Sequence, residues 1–108
     1  GLSFLARKEV KDVLAYWRLV VNTKDDASLR RVVNWPSRGV GKTSIEAIGT
    51  HAFLNQISCF EALNEAQRIA PKSFASIFKF KELIAQLSRS LEALPADSVK
   101  IAEWARES

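Results

Sequence analysis

Three features of the chain predict an all-α fold, a compact bundle of about five to six helices. Apolar residues recur at steps of three and four along two long stretches, Arg7–Val21 and Phe74–Leu94. Asn, Asp, Gly and Pro punctuate the chain between and after them, at 22–26, 34–41, 71 and 95. No stretch alternates at period two for long enough to require a sheet.

In the first stretch Val10, Val13, Leu14, Trp17 and Val21 follow helical spacing, and Lys8, Glu9, Lys11, Asp12 and Arg18 fall largely elsewhere, which predicts an amphipathic helix. Asn22-Thr-Lys-Asp-Asp is a polar break, and Asp25 or Asp26 can cap a short second helix carrying Leu29, Val32 and Val33. Pro36 disfavours helix at Trp35 and ends it. After a turn at Ser37–Gly41, Thr43 or Ser44 can cap a third helix with Ile45, Ile48 and Ala52 on one side. Ser58 can cap a fourth, running through Phe60, Leu63 and Ala66 and stopping before Pro71. The fifth is the longest, with Phe74, Ile77, Phe80, Ile84, Leu87, Leu91 and Leu94 forming the core-facing side of a bundle helix rather than a coiled-coil seam. Pro95 ends it, and Asp97 or Ser98 begins a last segment with Ile101 and Trp104.

At 108 residues the chain is one domain's worth, with room for a single modest core. A start without Met suggests a piece of something longer. With no apolar run near 18 residues and no signal-peptide pattern, no membrane association and a cytoplasmic location are expected. Cys59 is the only cysteine, so an internal disulfide is excluded and packing as a small apolar residue is expected. His51 is the only histidine, which excludes a His-based metal cluster. Glu9 and Asp12, with Arg7, Lys8 and Lys11 beside them, read as surface ion pairs rather than an acid pair.

The net charge of +4 is unevenly placed. Residues 1–44 carry nine basic and four acidic side chains, a net of +5, and residues 45–108 a net of −1. Between Ala27 and Ser44 lie Arg30, Arg31, Arg38 and Lys42 and no acid. A positive half of this kind suits a polyanion.

That half ends at Gly39-Val40-Gly41. Two glycines around one aliphatic residue let the backbone turn sharply and present N–H groups that no Cβ shields. The next helix adds unpaired N–H groups and the positive end of its dipole. Such a corner is a seat for phosphate, with Arg38 and Lys42 beside it. The string Gly-Val-Gly-Lys-Thr invites a nucleotide-binding P-loop reading, but Pro36 occupies the place of the first required glycine. Arg30 and Arg31 also suit a buried parallel strand poorly. A helix, a Gly-Val-Gly hairpin and the helix Thr43-Ser44-Ile45-Glu46-Ala47-Ile48 instead resemble the helix-hairpin-helix of DNA repair proteins, in which turn amides grip phosphates of one strand without reading bases.

A second motif is more specific. Phe4-x-x-Arg7-x-Glu9-Val10-Lys11-Asp12-x-x-Ala15-Tyr16-Trp17-Arg18-Leu19 resembles a stretch of UvrD/Rep/PcrA-type superfamily 1 DNA helicases. The residues beyond Leu19 keep a similar order: Asn22, Asp25-Asp26, Leu29-Arg30-Arg31-Val32-Val33-Asn34, Pro36, then Arg38-Gly39-Val40-Gly41 with Thr43. The likeness is specific over residues 4–48. Val10 and Val40 stand in for isoleucines, Trp17 for leucine, and Trp35 for a small residue such as threonine. Trp35 could stack on a nucleotide or cover the apolar underside of the turn, and its place beside Pro36 favours packing. Tyr16 and Arg18 are expected to hold their helix against its neighbours.

The resemblance implies a lead-in helix at 1–22, like the end of the helicase second motor subdomain. It also implies a partial helical 2B-like subdomain at 23–108, with helix-turn-helix at 27–56. It implies a non-catalytic fragment, without the ATP-binding and hydrolysis motifs and with no cofactor of its own, cut from a parent that uses ATP and magnesium. The implied partners are duplex DNA, bound on its phosphate backbone without sequence preference, and the remaining subdomains of the parent. The implied DNA-binding residues are Arg38, Gly39, Val40, Gly41, Lys42 and Thr43, with Arg30 and Arg31 adding longer-range attraction if their helix faces the same side. Rotation of such a subdomain would tune unwinding. The alternative is a protein-interaction module that uses the Phe74–Leu94 apolar seam, in which the glycine turn is merely a corner.

Overall fold

Residues 4–93 are described by the computed structural model, with side chains from Arg7 onward. They form α1 (Phe4–Val21), α2 (Asp26–Val32), α3 (Lys42–Asn55), α4 (Cys59–Ala62), α5 (Ala66–Ile69) and α6 (Phe74–Glu92), with 3-10 turns at Leu63–Glu65 and Pro71–Ser73. No strand occurs among the described residues, as the all-α reading expects. The expected segment after Pro95, with Ile101 and Trp104, lies outside them, as does Leu94.

Local chemistry sets most of the boundaries. Asp25 caps α2: its Oδ1 accepts from the Ser28 amide at 3.1 Å and its Oδ2 from the Ser28 hydroxyl at 2.9 Å. α3 begins at Lys42, with extended Gly41 in the cap position and no side-chain cap, so neither Thr43 nor Ser44 caps it. The Ser44 hydroxyl instead meets that of Ser73 at 2.7 Å and ties the start of α3 to the start of α6. α3 closes on Gln56 in the left-handed region, with the amides of Gln56 and Ile57 returning to Phe53 and Ala52 in a Schellman arrangement. Ser58 caps α4 through the Glu61 amide at 3.1 Å. The expected fourth helix is divided, because the turn Leu63–Glu65 tightens to 3-10 geometry before α5.

The core gathers Ala15, Leu19 and Val20 of α1, Leu29 and Val32 of α2, Ile48 and Ala52 of α3, and Ile77, Phe80, Ile84 and Leu91 of α6. α1 packs chiefly on α2 and also on α6. Phe80 is fully buried, and burial of one such side chain contributes about 1.5–3 kcal/mol. The Phe74–Leu94 seam is thus mostly interior, as expected of a bundle helix; only Leu87 stands well out of it.

α1 differs from its sequence reading. Of the predicted stripe, Val10, Val13 and Trp17 are 45%, 48% and 37% exposed, whereas Leu14 and Val21 are partly buried and Val21 packs against the core. The core is met by the neighbouring face, which carries Ala15, Leu19 and the carboxylate of Asp12. Asp12 is therefore a buried acid and not part of a surface pair. A buried carboxylate can be tolerated there because two cations reach it, Arg31 Nε at 2.7 Å and Lys8 Nζ at 3.0 Å.

Candidate nucleic-acid interface

The glycine turn is held from below by side chains. α2 ends as the Trp35 amide returns to the Val32 carbonyl at 3.0 Å, and the Trp35–Pro36 peptide is cis. Asn34 Oδ1 then accepts from the amides of Arg38 at 2.7 Å and Val40 at 3.2 Å. Val40 drops its side chain into the core, while Gly39 and Gly41 stay exposed. Gly39 has φ of +76°, where a Cβ would clash with its own backbone although nothing else lies within 4 Å of it. Gly41 lies at φ −76°, open to any residue.

The predicted phosphate ligands separate into three groups. Arg38 is a strut. Its Nη1 donates to the carbonyls of Val32, Val33, Trp35 and Pro36 at 3.0–3.3 Å, and its Nη2 to the Tyr16 hydroxyl at 2.6 Å. The guanidinium carbon sits 4.9 Å from the centre of the Phe80 ring. The charge expected at the turn's surface thus serves the carbonyls at the end of α2, where a cation is favoured. The Val40 amide is likewise turned inward, onto Asn34.

The second group remains open. Among the described residues no internal acceptor takes the amides of Gly39, Gly41, Lys42 or Thr43, and all four residues are exposed. Three of these amides open α3, where the helix dipole is positive. Lys42 Nζ lies 3.9 Å from Glu46 Oε1 with both side chains well exposed, a loose pair that leaves the lysine available.

Arg30 and Arg31 form the third group, and their side chains part. Arg30 reaches across to α3: its Nη2 lies 4.0 Å from Cys59 Sγ and would lie 3.4 Å from a Cβ on Gly49. It shares a shallow depression with Lys42, Glu46 and Phe53. Arg31 turns to α1 and pairs with Asp12, so it is not beside Lys42.

Sequence reasoning passed over Asn34 as a support of the turn. An Asx side chain two residues before a proline was the available signal. Tyr16 does hold α1 against its neighbours, with its ring 5.9 Å from Trp35 and 6.4 Å from Phe80. Trp35 is half-buried, and its ring packs against Tyr16. Burial, with the nearby Asp26 carboxylate, pushes the Cys59 thiol up and away from reactivity. No helix among the described residues is long and apolar enough to cross a membrane.

The sequence matches the UvrD-like helicase C-terminal domain over residues 1–97. It is 44% identical over 96 residues to the ATP-dependent DNA helicase PcrA of Staphylococcus aureus strain Mu50, covering 87% of this chain and 13% of that protein. To the PcrA of Staphylococcus epidermidis strain RP62A it is 41% identical over 101 residues, covering 92% of this chain and 14% of that one. The chain thus spans about one seventh of the length of the curated relatives it matches.

Proposed function

The chain belongs to the UvrD-like helicase C-terminal domain family, and from that premise we propose that it is the helical, non-catalytic part of an ATP-dependent DNA helicase that grips duplex DNA by its phosphates. Residues 1–22 serve as the lead-in helix from the second motor subdomain, and 23–108 as a partial 2B-like subdomain. ATP and magnesium act elsewhere in the parent. The contact is non-specific and lies near the unwinding junction, where its position regulates unwinding.

One observation carries this reading: Gly39, Gly41, Lys42 and Thr43 are exposed residues within five positions at the start of α3, and their amides have no internal acceptor among the described residues. Backbone N–H groups and a helix end favour any phosphate alike, so the grip carries no base information. Lys42 adds a mobile charge, and Arg30 lies on the same side of the molecule. Arg38 supports the turn rather than the ligand, and Arg31 does not contribute there. The exposed stripe of Val10, Val13 and Trp17 fits the same proposal, because a longer helicase offers surface to cover it. The rival module built on the Phe74–Leu94 seam loses ground, since most of that seam is core.

Two or three phosphate contacts give weak binding, with Kd of about 10⁻⁴ to 10⁻⁶ M at physiological salt. Titration of a labelled duplex, with a scrambled sequence beside it, should give equal affinities that Lys42→Glu lowers without altering helicity. Equal binding by Lys42→Glu and the parent chain would sink the proposal.

A further inference from the structure

A second cluster of cations lies outside the turn. Arg7, Lys8 and Lys11 of α1 and Arg31 of α2 line a depression of about 250 Å3, and no acidic or apolar side chain among the described residues joins its lining. Below them sits Asp12, only 2% exposed, with Oδ1 accepting from Arg31 Nε and Oδ2 from Lys8 Nζ. Asp12 grips Arg31 at the neck of its guanidinium. No acceptor among the described residues takes the two terminal nitrogens of Arg31. Four cations over one carboxylate leave a net of +3, and Arg7 and Lys11 are a like-charged i,i+4 pair. Such a cluster gains from a counter-charge from outside.

The geometry points to a second phosphate-binding site, in which Arg7, Lys8, Lys11 and the fork of Arg31 hold the phosphodiester backbone of DNA, separately from the Gly39–Thr43 turn. This rests on the reading that the chain binds DNA. Arg7 and Lys11 are separated by about 6 Å along the helix axis, comparable to the roughly 7 Å between neighbouring phosphates of one strand, which rises about 3.4 Å per nucleotide as it winds. A guanidinium fork suits the paired oxygens of a phosphate. The buried Asp12 acts as a positioning group, since it fixes where two of the four cations stand.

Arg7→Gln with Lys11→Gln tests the site, because both residues are exposed and neither supports Asp12. In the whole chain the double variant should keep its unfolding midpoint. Its plot of log K against log salt for duplex DNA should become shallower by about 0.9 for each lost contact. The loss should add to that of Lys42→Glu, as for independent sites. An unchanged slope in the double variant, with Lys42→Glu still weakening binding, overturns the second site and leaves the turn reading standing. Displacement of DNA from the Lys42→Glu chain by polyglutamate as readily as by duplex of equal charge also overturns it. No binding of DNA by the parent chain overturns both readings.

Discussion

The Tyr16 hydroxyl accepts a hydrogen bond from Arg38 Nη2 at 2.6 Å, and this contact joins the middle of α1 to the base of the glycine turn. Arg38 at the same time gathers the last carbonyls of α2 and lies over Phe80 of α6, and its own carbonyl accepts from the Ser76 hydroxyl at 2.7 Å. Three helices therefore meet at one side chain. The turn's outward shape depends on an arginine that faces inward.

Arg38→Ala should consequently lower stability by about 1–3 kcal/mol, because it leaves the Val33 carbonyl without its side-chain donor and removes the packing on Phe80, while the Tyr16 hydroxyl still donates to the Val32 and Trp35 carbonyls. Urea unfolding reads the loss. A double-mutant cycle with Tyr16→Phe should return a coupling of about 0.5 kcal/mol or more. A midpoint equal to that of the parent chain would remove the strut. Reduced DNA binding by an Arg38 variant is, for the same reason, a poor measure of phosphate contact.

The two glycines should behave differently. At Gly39, with φ of +76°, alanine should cost about 1–2 kcal/mol through backbone strain. At Gly41 the backbone accepts any residue and the space is open, so alanine should cost only about 0.5 kcal/mol, the weaker preference of alanine for the cap position of a helix. Gly41→Val should keep the fold while screening the neighbouring amides, and duplex titration should show weaker binding. Equal destabilisation by alanine at both positions would contradict the backbone assignment.

Acid should expose the role of Asp12. Burial raises its carboxyl pKa, but hydrogen bonds and charge from Lys8 and Arg31 outweigh that, so the folded value lies below the ordinary 3.8. The linked stability is fully present above the unfolded value and is lost as pH falls through the folded one. Asp12→Asn should therefore lose about 1–3 kcal/mol near neutral pH and show a flatter stability profile below about pH 4. Both cations are half exposed, which keeps the effect at this modest scale. Parallel acid titrations of the two chains, monitored by helicity, decide it; identical profiles would refute the pairing.

Much of the fold was legible in residue order. The spacing of Ile77, Phe80 and Ile84 marked a core helix, and Asp25 and Ser58 marked helix starts through short-range bonds. α1 misled in part, because its apolar stripe and its buried face overlap only at Leu14 and Val21. Ala15 and Leu19 pack inward with Asp12, while Val10, Val13 and Trp17 point out. Periodicity finds an apolar stripe but does not say which surface covers it. The candidate site was half legible for a related reason. Its glycines and positive charge are local properties, whereas the internal partners of Arg38, Val40 and Arg31 come from Tyr16, Asn34 and Asp12.

The sequence by itself determined the helical class, the family likeness over its first half, and a glycine corner at Gly39–Gly41, since these rest on chemistry within a few residues; the structure then placed the left-handed backbone at Gly39 alone. Tertiary structure alone decided which cations face outward. A guanidinium goes wherever packing leaves acceptors, and for Arg38 those acceptors lie on α2 and on a tyrosine 22 residues earlier in the chain. Lys42 stays outside because nothing within its reach buries it.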